Sequence, residues 1–407
     1  MPASSGTFEG RSTFIDALRG IAAFSVACYH IYRYGPLPIA AELAMPRPLA
    51  IWFDHGWIGV QVFFVISGFV IAYSVRNALI TPRYLGNYIL RRSMRLDPPY
   101  WATILVVLLV HWVFALTLGF DSPMDVPSPM EVPLSWGLIV AHLFYLQDIL
   151  KSRFGYENLS AGFWTLCIEV QFYLLYILGL GVAQRFPWVR TLPIEWGPRA
   201  LVLLFAPLAA MSLFRWNSDQ DTDMWIIHYF CMFFLGCLAW WALDKKVPAV
   251  VFWGYVLLVI YQLARRGVEV YGDSRITHHG VGLSLAHAAR SSIELKVALI
   301  AGITIYWLGR QGRLGTALNY PVLQYLGKIS YSLYLIHFPV SHVVTTLGYE
   351  HMTVNGTFTP VASLGWLLAA LIASLIAAHG LYIFVESPSI RLAARWKRSA
   401  EGRASAA

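Results

Sequence analysis

Charge is scarce in this chain: of 407 residues only 13% are Asp, Glu, Lys or Arg, against about 25% in an ordinary soluble domain. That scarcity excludes a disordered polymer and a soluble two-domain enzyme. Cysteine is scarcer still. Cys28, Cys167, Cys231 and Cys237 each lie inside an apolar stretch, where a free thiol behaves as a small hydrophobe. No pairing spacing is visible, so neither a disulfide-stapled module nor a metal cluster is implied. A cleavable leader is lacking too: residues 1–12 have no charged n-region, and the first apolar stretch carries Asp16 and Arg19, which marks an uncleaved helix. No internal repeat is evident, so the inverted-repeat signature of many transporters is absent.

What the chain has is apolar length. Hydrophobic residues make up 57% of it and come in blocks of about 18–24, the run a helix needs to cross a roughly 30 Å hydrocarbon layer. Spans are expected near 13–34, 57–75, 99–119, 162–183, 199–214, 224–243, 248–264, 292–309, 325–348 and 361–386. The fold class is therefore an all-α polytopic membrane protein of about ten transmembrane helices in one domain. Residues 1–12 form a cytoplasmic N-terminal segment, 13–390 the membrane domain and 391–407 a basic cytoplasmic tail.

The net charge of +8 is read as a topology signal rather than as a nucleic-acid surface. Arg76, Arg83, Arg91, Arg92 and Arg95 cluster between the second and third spans, and Arg391, Arg395, Lys397, Arg398 and Arg403 follow the last. Both groups belong in the cytoplasm, which ten spans allow and eleven do not. Residues 134–149 are accordingly expected as a re-entrant or surface element on the outer side. The Pro-rich stretch 120–133 reads as an extended spacer, and 265–291 as a long outer loop. His278, His279 and His287 in that loop have no helical ligand spacing, so no metal site is expected.

Ionisable groups within spans cost roughly 2.5–3.5 kcal/mol each on insertion scales, so each needs a partner or a task. Eleven residues at 100° bring His30 to within about 20° of Arg19, roughly 16 Å farther along the first helix. Both face one cavity at different depths; an interfacial Asp16–Arg19 pair with His30 bonded to a neighbouring carbonyl would give the same pattern. The segment 83–95 reads as an interfacial amphipathic helix ending at Pro98-Pro99. On it Arg92 and Arg95, one turn apart, suit either one phosphorylated group or anionic lipid headgroups. Glu169, two turns inside the fourth span, either handles a hydroxyl or partners a buried cation. In the ninth span Ser330, Tyr331, Ser332 and Tyr334 suit helix packing, with Tyr331 and His337 as candidate cavity-lining residues.

These segments, in order, resemble the acyltransferase-3 family of bacterial integral membrane O-acyltransferases. The carriers are Asp16-Ala-Leu-Arg-Gly20 with His30, Gly59-Val-Gln-Val-Phe-Phe-Val-Ile-Ser-Gly68-Phe, Arg92-Ser-Met-Arg95, Trp164-Thr-Leu-Cys-Ile-Glu169-Val-Gln-Phe-Tyr173, Gly327-Lys-Ile-Ser-Tyr-Ser-Leu-Tyr-Leu-Ile-His337, and Glu386-Ser-Pro388. Gln61 departs from the acidic residue the family often has after Gly-Val. The resemblance implies transfer of an acyl group, acetyl first of all, from acyl-CoA entering at the cytoplasmic face. The acceptor is a hydroxyl of a sugar, surface polysaccharide or glycolipid.

By the same resemblance His30 and Arg19 are the paired functional residues of the first span, and Arg92 and Arg95 the pair linked to binding the donor. Beside it, the reading of the spans makes Glu169 a further catalytic candidate and Asp16, Tyr331 and His337 candidate cavity-lining residues. Acetyl-CoA is a substrate, and no permanently bound cofactor or nucleic acid is expected. Membrane lipids are the surroundings. Because the chain ends soon after its last span, a stand-alone form is expected, working directly or with a separate extracytoplasmic partner. The location implied is the bacterial inner membrane, with both termini cytoplasmic. A transporter or flippase for a glycan or lipid precursor, with His30 relaying protons, is the alternative from another class.

Overall fold

A computed structural model describes residues 12–37, 41–117, 134–155, 157–185, 197–276 and 282–405. Among them no strand occurs. The helices are α1 Thr13–Arg33, α2 Arg47–His55, α3 Gly59–Ser74, α4 Pro82–Thr117, α5 Trp136–Leu143, α6 Gln147–Phe154 and α7 Phe163–Ala183. They continue as α8 Gly197–Phe214, α9 Ile226–Leu243, α10 Ala249–Ile276, α11 Gly282–Arg310, α12 Pro321–Val354, α13 Pro360–Leu381 and, after a π-helical turn at Tyr382–Glu386, α14 Ser387–Ser405.

Among the described residues nine helical stretches are long and apolar enough to cross a bilayer: α1, α2 with α3, α4, α7, α8, α9, α10, α11, and α13 with its continuation. The chain is a multi-pass all-α membrane protein. The expected span at 325–348 forms as α12, whose 34 residues give about 51 Å of helix; its lysine, serines, tyrosines and histidines keep it out of the apolar nine. Helices α5 and α6 have eight residues each, about 12 Å, too short to span. They are held by His142, whose Nδ1–H donates to the Leu138 carbonyl and whose Nε2 accepts the Leu159 N–H at 3.1 Å. Burial pushes this imidazole down to about 4, so it stays neutral between its two partners.

Two expectations are corrected. The helix at 83–95 does not end at Pro98-Pro99 but runs on to Thr117. Each proline removes one N–H from the ladder, and within a membrane the freed carbonyls favour a local adjustment over an exposed break. Around this point Tyr331 donates to the Leu96 carbonyl at 2.8 Å and Thr103 to the Pro99 carbonyl at 2.9 Å. The loop expected at 265–291 is largely helix, as α10 reaches Ile276 and α11 starts at Gly282. The buried Arg266 anchors that extension by donating to Asn217 Oδ1, Ser291 Oγ and the Leu213 carbonyl. The basic tail is helical as far as Ser405 in α14. The spacer at 120–133, most of the N-terminal segment, and His278 with His279 lie outside the described residues.

Residues sort into two compact units that alternate along the chain. The first comprises Met1–Arg19, Val60–Thr81 and Ile168–Gln324. Its centre is α9, buried along nearly its whole length, as a helix apolar on every side must be. α3 runs parallel to it, with Phe64 against Tyr229 at 4.9 Å and Tyr73 against Trp240 at 4.8 Å. The two backbones touch: a Cβ at Gly68 would collide with the Phe233 carbonyl, and one at Gly236 with the Val65 carbonyl.

The second unit comprises Gly20–Gly59, Pro82–Cys167 and Tyr325–Ala407. Here α1 and α12 meet where a Cβ at Gly20 would lie 2.5 Å from the Gly327 nitrogen. Ten residues on in each helix, His30 meets His337. Equal steps in the same sense mean that the helices run parallel for about 15 Å. α12 thus runs alongside an apolar helix although it is itself more polar than the nine apolar stretches.

Candidate active site

The site is built around residues 331–337 of α12, which tie four other segments of the second unit. Tyr331 reaches the Leu96 carbonyl of α4, immediately after Arg95. Ser332 donates its N–H and its hydroxyl to Glu386 Oε2, at 3.2 and 2.6 Å, which fixes the π-helical turn after α13. Tyr334 and Thr165 share a hydrogen bond of 2.7 Å; since Thr165 donates to the Gly162 carbonyl, the Tyr334 hydroxyl is the donor. His337 Nε2 lies 2.7 Å from His30 Nδ1, and His337 Nδ1 lies 2.9 Å from the Leu333 carbonyl.

His337 is fully buried and His30 is 8% exposed. Their ring planes differ by 6° with centroids 5.0 Å apart, which is the 2.7 Å bond plus roughly one ring radius at each end. The rings are therefore nearly coplanar and meet edge to edge, the geometry of a straight hydrogen bond along the nitrogen lone pair. Phe338 and Tyr34 stand edge-on to the His30 ring at 5.9 and 5.4 Å, and Tyr29 leans on it at 5.4 Å. His30 is thus bonded not to a neighbouring carbonyl but to a second imidazole.

The other candidates fall as follows. Arg92 is half-buried and Arg95 exposed, one turn apart on α4. Asp97 beside them accepts from Ser93 and, at 2.9 Å, from the Tyr145 hydroxyl. Tyr331 and His337 are six residues apart, about 9 Å along α12, which sets the separation between the end of the arginine segment and the histidine pair. Asp16 and Arg19 are half-buried in the opening turns of α1, within the first unit. There Ser12 caps the helix by accepting the Ile15 N–H, and Gln324 donates to the Thr13 carbonyl.

Glu169, also in the first unit, accepts from Ser67 Oγ at 2.7 Å and from the Tyr173 hydroxyl. Sequence reasoning offered it a cation or a substrate hydroxyl, and gave Ser67 and Tyr173, both within the family motifs, no role. It also left Thr165 and Glu386 without roles. One overlooked signal is a matched interval: Gly20 and Gly327 each precede a span histidine by ten residues.

The sequence model of the acyltransferase-3 family, an acyltransferase domain, matches residues 12–383. The chain belongs to this family. Acyltransferase-3 relatives include the peptidoglycan O-acetyltransferase OatA of Listeria monocytogenes, 24% identical over 356 residues, which cover 81% of this chain and 49% of that one. The acyltransferase MdmB of Streptomyces mycarofaciens is 25% identical over 390 residues, covering 94% of this chain and 92% of that one. The O-acetyltransferase OatA of Staphylococcus aureus is 29% identical over 170 residues, 40% of this chain and 24% of that one. The chain therefore spans about half the length, or less, of the OatA proteins it matches, and nearly all of MdmB. No solved structure matches. The acyltransferase-3 match takes in both units and every candidate residue named above except Glu386.

Proposed function

We propose that the chain is an O-acyltransferase that moves an acyl group, acetyl in the simplest case, from a CoA thioester to a hydroxyl of a sugar, surface polysaccharide or glycolipid. The observation that carries this reading is the edge-to-edge His30–His337 pair in a family whose chemistry needs a proton acceptor or a nucleophile. Imidazole serves as either: it takes the proton of an attacking hydroxyl, or it accepts the acyl group itself and passes it on. The relatives named as peptidoglycan O-acetyltransferases support a carbohydrate hydroxyl as acceptor.

Arg92 and Arg95 bind the phosphates of the donor, and the pantetheine arm covers the short rise from their end of α4 to His30. Arg19 adds positive charge on the same side of α1, and Glu169 orients an acceptor hydroxyl. Purified protein given acetyl-CoA is expected to release free thiol and to acylate a sugar acceptor; intact acetyl-CoA would favour the transporter reading. In the same assay Arg92→Ala and Arg95→Ala raise KM for acetyl-CoA about ten-fold, the worth of one charge-assisted bond of roughly 1.5–3 kcal/mol. Lysine at either position rescues poorly because it lacks the planar fork. An unchanged KM in both alanine variants returns the arginines to lipid headgroups.

We also propose that the protein lies in the bacterial inner membrane with both termini in the cytoplasm. All four native cysteines are buried, so introduced ones report cleanly. Asp125→Cys reacts with an impermeant thiol reagent applied to intact cells and Ser399→Cys does not. The reverse pattern would invert the topology.

A further inference from the structure

We infer that His337 is a positioning residue: it holds the His30 proton on Nδ1 and thereby makes His30 Nε2 the reactive nitrogen. The inference rests on the reading of His30 as the reacting group and adds which of its atoms reacts and what selects it. Proton order along the chain of contacts decides the matter. The Leu333 carbonyl can only accept, so the Nδ1 of His337, 2.9 Å away, carries a hydrogen. A neutral imidazole has a single N–H, so the His337 Nε2 is bare. The 2.7 Å contact with His30 Nδ1 then requires the hydrogen to sit on His30, which leaves the His30 Nε2 lone pair free.

The opposite order would need a doubly protonated His337, a full charge in a side chain with no exposure and no carboxylate within ion-pair distance among the described residues. Such a charge is what a membrane interior makes most costly. Among the described residues, His30 Nε2 has no hydrogen-bond partner of its own. The reactive edge thus points away from its support, as in a triad in which a third group orients the base.

The step balances on these atoms. As the acceptor oxygen bonds to the thioester carbonyl carbon, its proton moves to His30 Nε2, while Nδ1–H stays donated to His337. When the carbon–sulfur bond breaks, the same proton passes from Nε2 to the departing CoA thiolate, and His30 ends as it began. If His30 instead attacks the thioester directly, the nitrogen acylated is again Nε2: the carbon–sulfur bond breaks and CoA leaves as the thiolate, then the acceptor oxygen takes the acyl group as the nitrogen–carbon bond breaks, and its proton neutralises the thiolate.

The test combines two substitutions with a measurement on the unmodified protein. His337→Phe keeps a planar ring and removes the acceptor; it is expected to lower kcat about 100-fold, with KM for acetyl-CoA within about two-fold. His337→Gln offers a carbonyl oxygen to His30 Nδ1–H and should restore kcat to within about ten-fold of the parent. Nitrogen-15 NMR of the full-length protein in detergent, with His30 assigned by its loss in His30→Gln, should show the Nδ1–H tautomer. A wild-type kcat in His337→Phe, equal losses in the phenylalanine and glutamine variants, or an Nε2–H tautomer at His30 each overturns the inference. Should His337→Phe fail to fold, the NMR measurement decides alone. Transfer that survives in His30→Gln removes the catalytic reading instead, and leaves the tautomer measurement to judge the positioning separately.

Discussion

Replacing His30 by glutamine is expected to abolish acyl transfer, with kcat lower by at least about 10²-fold, the lower end of what a positioned general base contributes. Glutamine fills similar space and can still hydrogen-bond, but it neither takes a proton nor carries an acyl group. The variant therefore separates chemistry from packing. The protein is expected to remain inserted and, on the proposed donor site, to keep its affinity for CoA, because the arginines lie on α4 and His30 on α1. Incubation with labelled acetyl-CoA and no acceptor then distinguishes the two routes. A covalent route leaves an acyl adduct on the peptide containing His30, and a general base leaves that peptide unmodified. Near-normal transfer by His30→Gln at matched expression would remove His30 from the mechanism.

The second large effect is structural. At Gly68 the group that a new Cβ would meet is the carbonyl of Phe233, and at Gly236 it is the carbonyl of Val65. Backbone cannot swing aside as a side chain can, so the two helices must part. Gly68→Ala is expected to cost about 3 kcal/mol, the upper part of the usual range for overpacking, and Gly68→Leu to yield no folded protein. Gly254→Ala on α10, with nothing within 4 Å of the added carbon, serves as control. It should be neutral or stabilising, since alanine is the better helix former by about 1 kcal/mol. Thermal unfolding in detergent reads all three, and equal melting of Gly68→Ala and Gly254→Ala would show that the α3–α9 approach is looser than described.

Apolar length alone located most helices, since a bilayer leaves a chain few alternatives. The block read at 162–183 became Phe163–Ala183, and that at 224–243 became Ile226–Leu243. Helix ends outside the apolar blocks were much less legible. Pro98-Pro99 looks like a stop in water, where a broken turn is rescued by solvent, and the polar stretch after 264 looks like a loop when the partners of Arg266 are unknown. The site divides in the same way. His30, Arg92, Arg95 and Glu169 stand out because each is an ionisable group beside or within apolar sequence. The partner of His30 does not, because spacing within one helix says nothing of a residue 307 positions away. His337 drew notice only as a polar exception, and nothing in its own segment names His30 as its neighbour.

The polarity of α12 bears on how the molecule is made. Leaving the ribosome, a helix enters the bilayer by its own preference for hydrocarbon, and α12, expected as a span, has less of that preference than the nine apolar stretches among the described residues. Its hydroxyls and imidazole find hydrogen-bond partners on α1, α4, the start of α7 and the turn after α13. Three of those segments are synthesised earlier, and one comes later. Insertion of α12 is therefore a matter of assembly as well as partitioning: the earlier helices must already be present to receive it, and Glu386 closes over Ser332 only when the last helix arrives. The residues that would carry out the reaction are also the ones that make this helix depend on its neighbours to enter the membrane.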